Sequence, residues 1–198
     1  LGIAADGPHP DPMNYRDLFI LTVPEVILTV GALVALAVDL GLRRNRSIRA
    51  RMITGAVITT IACLLAGLWI IGTKASGSSY SGMLVLDSLT KLVKPMLLLM
   101  TIFTALISME GNFTDHVGEF FALLLLATIG MMFLVSTENV LMIFIALELL
   151  SLSLYILTAF NKQNAHSAEA ALKYFLIGGI SAAFMLLGLS LLYGLTGE

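Results

Sequence analysis

Charge is scarce in this sequence. Only 12% of its 198 residues are Asp, Glu, Lys or Arg, about half the ~25% of an ordinary soluble domain. Against that, 58% are hydrophobic and the mean hydropathy is +0.96. The few charges gather between long apolar runs, the pattern of a polytopic membrane protein. Cysteine is nearly absent. Cys63 stands alone inside an apolar run, so an intrachain disulfide or a cysteine metal cluster is excluded and the residue reads as packing. There is no P-loop, no GxGxxG and no Cys/His cluster, and no histidine lies deep in an apolar run to ligate haem. The chain thus has no visible apparatus for redox chemistry or nucleotide hydrolysis, and nothing in it suggests a nucleic-acid partner. If it transports, its energy comes from a partner or a gradient. A basic leader is missing too: "LGIAADGPHPDP", residues 1–12, is rich in Gly, Pro and Asp and does not read as a signal peptide. The chain opens on Leu1 and stops after the hydrophobic "LYGLTGE", which reads as part of a longer protein whose start is Met13.

What is present is six apolar runs of the ~20 residues that a bilayer-crossing helix needs. They lie at about 18–40, 52–72, 87–108, 117–136, 139–160 and 168–195. The expected fold class is all-α, a polytopic transmembrane helix bundle of about six spans. Residues 1–17 form an N-terminal arm, 18–108 hold the first three spans and 109–198 the next three. Arg43, Arg44, Arg46, Arg49 and Arg51 crowd one short loop, which the positive-inside rule puts in the cytoplasm. The N-terminus and the loop "TKASGSSYSG" then lie outside, and "NKQNAH", with Lys162, inside. The acidic "MEGNFTDH" loop is also inside and runs against the rule. Short links make the fourth and fifth spans, and the fifth and sixth, antiparallel neighbours. Gly178, Gly179, Ser181, Ala182 and Ala183 permit close helix approach in the sixth.

The charges left inside the spans are the candidate functional residues. "LMIFIALELLSLSLYIL", Leu141 to Leu157, holds one carboxylate, Glu148. A charge near a bilayer centre costs roughly 2.5–3.5 kcal/mol on insertion scales, so it is kept for a reason. In the sixth span, "SAEAALKYFL" carries Glu169 and Lys173 at i and i+4, with Ser167 as the expected N-cap. Antiparallel packing sets Lys173 and Glu148 about 9 Å apart in depth by the helical rise, near enough to share a field through water. Such pairs mark proton relays. Two plainer readings stand beside this one. Lys173 snorkels to the interface, or Glu148 is a protonated packing residue held by Ser151 or Tyr155. Glu25, after Pro24, reads as a structural or subunit-contact residue, and Lys94, before Pro95, as an accessory candidate. Asp39 beside the arginine loop predicts an interfacial salt bridge, and Asp87 with Lys91 an i, i+4 pair. His116 and His166 read as solvated loop residues.

Residues 138–197, with "ALELLSLSLYIL" and "SAEAALKYFL" and with Glu148 and Lys173 twenty-five positions apart, resemble the antiporter-like membrane subunits of respiratory complex I, the NADH:quinone oxidoreductase, in their subunit N (subunit 2) branch. The "VPE" of Val23 to Glu25 and Asp39 are similar to that family's opening. The resemblance runs from about Met13 to the end and is weakest over 41–85. It implies a partial antiporter-like fold: three flanking helices, then the first three of a five-helix repeat in a fourteen-helix protein. It matches Glu148 to a glutamate of the proton half-channel and Lys173 to a lysine of the sixth helix. It implies no cofactor in this chain, with NADH, flavin, iron–sulfur clusters and quinone in partner subunits. It also implies neighbouring antiporter-like and small membrane subunits as partners, and a bacterial inner membrane as the location. A cation/proton antiporter subunit and a structural membrane scaffold are the alternatives.

Overall fold

The computed structural model describes residues 15–42, 47–73, 77–79, 83–111, 114–161 and 164–196. Most of the N-terminal arm, Arg43, Arg44, Arg46 and Lys162 lie outside the described residues. Six helices follow in order: α1 (Tyr15–Leu42), α2 (Ile48–Gly72), α3 (Ser88–Ser108), α4 (Val117–Val135), α5 (Val140–Thr158) and α6 (Ala165–Thr196). All six are long and apolar enough to cross a membrane. They coincide with the six expected spans to within a few residues. The 19 residues of α4 and of α5 reach about 28 Å at 1.5 Å per residue, close to the ~30 Å hydrocarbon core.

Between α2 and α3 the chain does something that its polar composition hid. Gly77–Ser79 (β1) and Leu84–Leu86 (β2) pair antiparallel in a small hairpin. Leu84 and Leu86 point inward and are buried. Val85 N–H donates to the Ser136 carbonyl, 2.7 Å, so the hairpin ties the start of α3 to the end of α4. Asp87 does not pair with Lys91 by its side chain, as the spacing predicts. It caps α3 instead, accepting from the Thr90 N–H and the Thr90 hydroxyl, each at 2.7 Å. Those two bonds hold the Asp87 carboxyl below its usual range, because they favour the ionised form.

α1 packs on α2 and α4, α3 packs on the same two, and α5 lies along α4. α1 and α3 therefore face each other across the diagonal of a four-helix unit. Its core has two clusters, one around Leu28, Ala66, Leu98, Leu125 and Met132, the other around Ala35, Met52, Ala56 and Phe121. Small residues allow the close approaches. A Cβ on Gly118 would meet Asp39 Cβ at 2.6 Å and the Ala35 carbonyl at 3.0 Å. A Cβ on Gly130 would meet the Leu150 nitrogen at 2.9 Å and the Ala146 carbonyl at 3.0 Å. Packing of this kind binds helices where lipid offers no hydrophobic drive. Several hydroxyls in the spans are satisfied locally: Thr29, Thr54, Thr128, Ser153 and Ser181 each donate to the carbonyl four residues back, as an environment without water favours.

Among the described helices α6 packs chiefly on α5, and Ala171 is its one buried residue there. Ser167 is not the N-cap. The helix starts at Ala165, Asn164 accepts from the His166 N–H at 3.0 Å, and the Ser167 hydroxyl donates across to the Thr158 carbonyl.

Candidate functional site

α5 is placed by α4. Ala146, Leu149, Leu150 and Ser153 make the face that meets α4: Gly130 touches Ala146 and Leu150, Leu149 packs on the core and Ser153 is buried. Glu148 lies two residues from both Ala146 and Leu150, about 200° around the helix from each, so it is turned away from α4. Tyr155 is seven residues on and shares its side. That side faces α6, because Tyr155 stacks edge-on against Tyr174 and Phe175, with ring centroids 4.7 and 5.8 Å apart, and its hydroxyl presses on Gly178. The side chain of Glu148 is half-buried, about 12 Å along the axis from Val140 by the helical rise. Among the described residues no hydrogen bond or ion pair reaches it. Neither Ser151 nor Tyr155 holds it.

Lys173 does not meet Glu148. Its Nζ donates to Glu169 Oε1 one turn back at 2.5 Å, and the pair is exposed. The contacts of Ser167 with Thr158 and of Tyr155 with Tyr174 fix the register of the two helices. They set Lys173 level with about residue 156, about 12 Å from Glu148 in depth by the helical rise. The expected depth gap is close to this. The i, i+4 spacing places a nearer carboxylate, Glu169, within reach, and it takes the ammonium.

The most deeply buried ion pair among the described residues joins two residues that the sequence left in minor roles. Lys94 Nζ donates to Glu25 Oε1 at 2.7 Å, with the two side chains 2% and 3% exposed. A second ion pair closes the opposite end of the four-helix unit. Arg51 donates to both carboxylate oxygens of Asp39, at 2.6 and 2.7 Å, and to the Asp115 carbonyl at 2.8 Å. Asp39 Oδ2 also accepts from the Gly118 N–H at 3.0 Å, at the start of α4. This is the interfacial salt bridge expected of Asp39, with Arg51 as its partner. His116 lies 3.0 Å from Glu119 at the same end. The Glu25–Lys94 pair had one signal in the sequence: each residue is a charge next to a proline in an apolar run. Sequence alone could not say that the two runs meet.

The comparisons with known proteins agree with this architecture. The family model described as "NADH:quinone oxidoreductase/Mrp antiporter, TM" matches residues 137–198, the stretch that holds α5 and α6. Subunit N 2 of the NADH-quinone oxidoreductase of Acidobacterium capsulatum is 50% identical over 200 residues, covering 95% of this chain and 40% of that protein. Subunit N 1 of Rhizobium meliloti is 34% identical over 182 residues, covering 90% of this chain and 36% of its own. Among solved structures, a chain of respiratory complex I from Thermus thermophilus, solved with bound aureothin, superposes with a TM-score of 0.70 at 30% identity, over 89% of this chain and 38% of that one. The chain thus spans about two fifths of the length of the relatives it matches. By sequence and by fold, it belongs to the antiporter-like membrane subunits of NADH–quinone oxidoreductase, in the subunit N branch.

Proposed function

We propose that the chain works as a non-redox membrane subunit of a proton-pumping NADH:quinone oxidoreductase, helping to move protons as electrons pass from NADH to quinone. The observation that carries this reading is Glu148. It is a half-buried carboxylate midway along a membrane-spanning helix, inside the family match, and it lacks any partner among the described residues. Such a group is costly unless it is used. A change in the field around Glu148 shifts its proton affinity, and the change in its charge then biases ionisable groups further along the membrane arm. Lys173 is the next such group in this chain. Its Glu169 bond is an alternative to a longer reach toward Glu148, and Tyr155, between them in depth, and Ser151 are accessory positions.

On this reading NADH, flavin, iron–sulfur clusters and quinone sit in partner subunits. Neighbouring antiporter-like and small membrane subunits cover the open faces of α5 and α6, and lipid covers the rest. Arg49 and Arg51, with Arg43, Arg44 and Arg46, favour a bacterial inner-membrane orientation with that loop in the cytoplasm and the N-terminus outside. The family description also names Mrp antiporters, but the named relatives are quinone oxidoreductase subunits, which favours the first reading.

The test is Glu148→Gln in the complete subunit, with assembly, electron transfer and protons moved per electron recorded on the same membrane vesicles. The expected outcome is an assembled complex that passes electrons and moves fewer protons. Unchanged pumping overturns the role of Glu148 and supports a scaffold.

A further inference from the structure

The Glu25–Lys94 pair lies outside the α5–α6 site and is too costly to be a simple tie. Removing two ions from water is costly, and replacing a buried pair by apolar side chains of similar volume is often neutral or stabilising. Helix association here does not depend on it, because α1 and α3 are each held by α2 and α4. The pair bridges the diagonal instead, one turn along from the fully buried Leu28 and Leu98.

Three further features set it apart. Glu25 Oε2 is buried and has no hydrogen-bond partner among the described residues, so half of the carboxylate is unmatched in a place where unmatched polar atoms are costly. Lys94 donates one of its three N–H bonds to Glu25, and no other acceptor is found for it among the described residues. Finally, both residues adjoin a proline within a helix: Pro24 precedes Glu25 in α1 and Pro95 follows Lys94 in α3. Each proline lacks the N–H that would bond the carbonyl four residues back, at Ile20 and Lys91, and loosens its helix there. Both sides of the ion pair are thus built on backbone that can bend. Lys94 is also close to one end of the unit. It is one turn from Thr90 on the same buried stripe and about 10 Å along the axis from Asp87.

We propose that Glu25 and Lys94 form a second proton-exchanging pair of the subunit, opening and closing at the two prolines. Glu25 takes a proton at Oε2 from water entering at the Asp87–Thr90 end. The carboxyl becomes neutral, the contact loosens, and Lys94 is left as the uncompensated cation. Loss of that proton to water restores the carboxylate and closes the pair. No electron moves and no covalent bond other than O–H forms or breaks. The proposal rests on the functional reading above for its purpose, since the charge left on Lys94 is a signal only in a subunit that couples charge to proton movement.

The experiment uses the assembled complex carrying the complete subunit, in membrane vesicles. Infrared difference spectra are recorded between low and high pH for the wild type, for Glu25→Gln with Lys94→Met, and for the swap Glu25→Lys with Lys94→Glu. Protons moved per electron are measured on the same vesicles. The expected result is a carboxylic C=O signal in the wild type that is lost in the neutral double variant, together with a fall in protons per electron while electron transfer persists. The swap keeps both charges buried, so it serves if the neutral pair fails to assemble. It is expected to keep a carboxyl signal at a shifted frequency. Identical spectra in all assembled proteins, with pumping unchanged, overturn the proposal and leave the pair a structural tie. The two failures separate: a Glu25 carboxyl signal in a complex that moves no protons supports the exchange site and overturns the functional reading instead.

Discussion

In α1 to α4 each buried charge has met its opposite. Glu25 meets Lys94, and Arg51 meets Asp39. In α5 and α6 the pattern inverts. Glu148 meets no charge among the described residues, and Lys173 meets Glu169 on an exposed face. The apolar surroundings differ in the same direction. The four-helix unit has two buried clusters, whereas α6 shows Phe175, Ile177, Phe184, Leu187 and Leu191 to the outside. The physical lesson is that one unit closes on itself and the other is open. A closed unit must neutralise any ion it buries. An open one can leave a carboxylate unpaired, provided that a neighbour, lipid headgroup or water completes it.

The sharpest way to break this contrast is to remove one charge from the closed unit. Lys94→Met leaves Glu25 buried and unpaired, and a loss of about 3–5 kcal/mol is expected. It would be read as a large fall in the denaturation midpoint of the purified subunit, or as failure to assemble. The double variant Glu25→Gln with Lys94→Met should recover most of that loss. If the single variant is as stable as the wild type, the unit is not closed around the pair.

Next in size is the seam between the two regions. Gly130→Val places a branched side chain against the backbone of α5 between Ala146 and Leu150. Overpacking of that kind costs about 1–3 kcal/mol. It should also shift the turn that presents Glu148, so pumping is expected to fall along with thermal stability. Stability lost with pumping intact would mean that the placement of Glu148 does not depend on this seam. The smallest effect is expected on the open side. Glu169→Gln removes an exposed pair worth about 0–1 kcal/mol, so the denaturation midpoint should hardly move. A large drop would show that α6 is packed more tightly in the assembled protein than its bare surface suggests.

Much of this architecture is legible in the order of the residues. The six spans follow from apolar runs whose length matches a bilayer, because a backbone in lipid has to satisfy its own hydrogen bonds. Glu148 stands out because a lone carboxylate in such a run is costly wherever the neighbouring helices lie. Asp39 and Arg51 sit at the two sides of one short loop, so their meeting is a nearly local event. The hairpin at 77–86 is hidden because three-residue strands give too little alternation to read.

That this chain is a multi-pass helical membrane protein of the antiporter-like kind is written in its sequence, since length, apolarity and the motifs around Glu148 and Lys173 are properties of single segments. Which charges meet is a matter of how the helices assemble. Glu25 and Lys94 are 69 residues apart in the chain, and they join because α2 and α4 hold α1 and α3 across a diagonal. Lys173 and Glu169 are the local exception: they meet on one helix at the i, i+4 spacing that the sequence already shows. Pairing energies fall steeply with distance, and distance between segments is what a sequence does not contain.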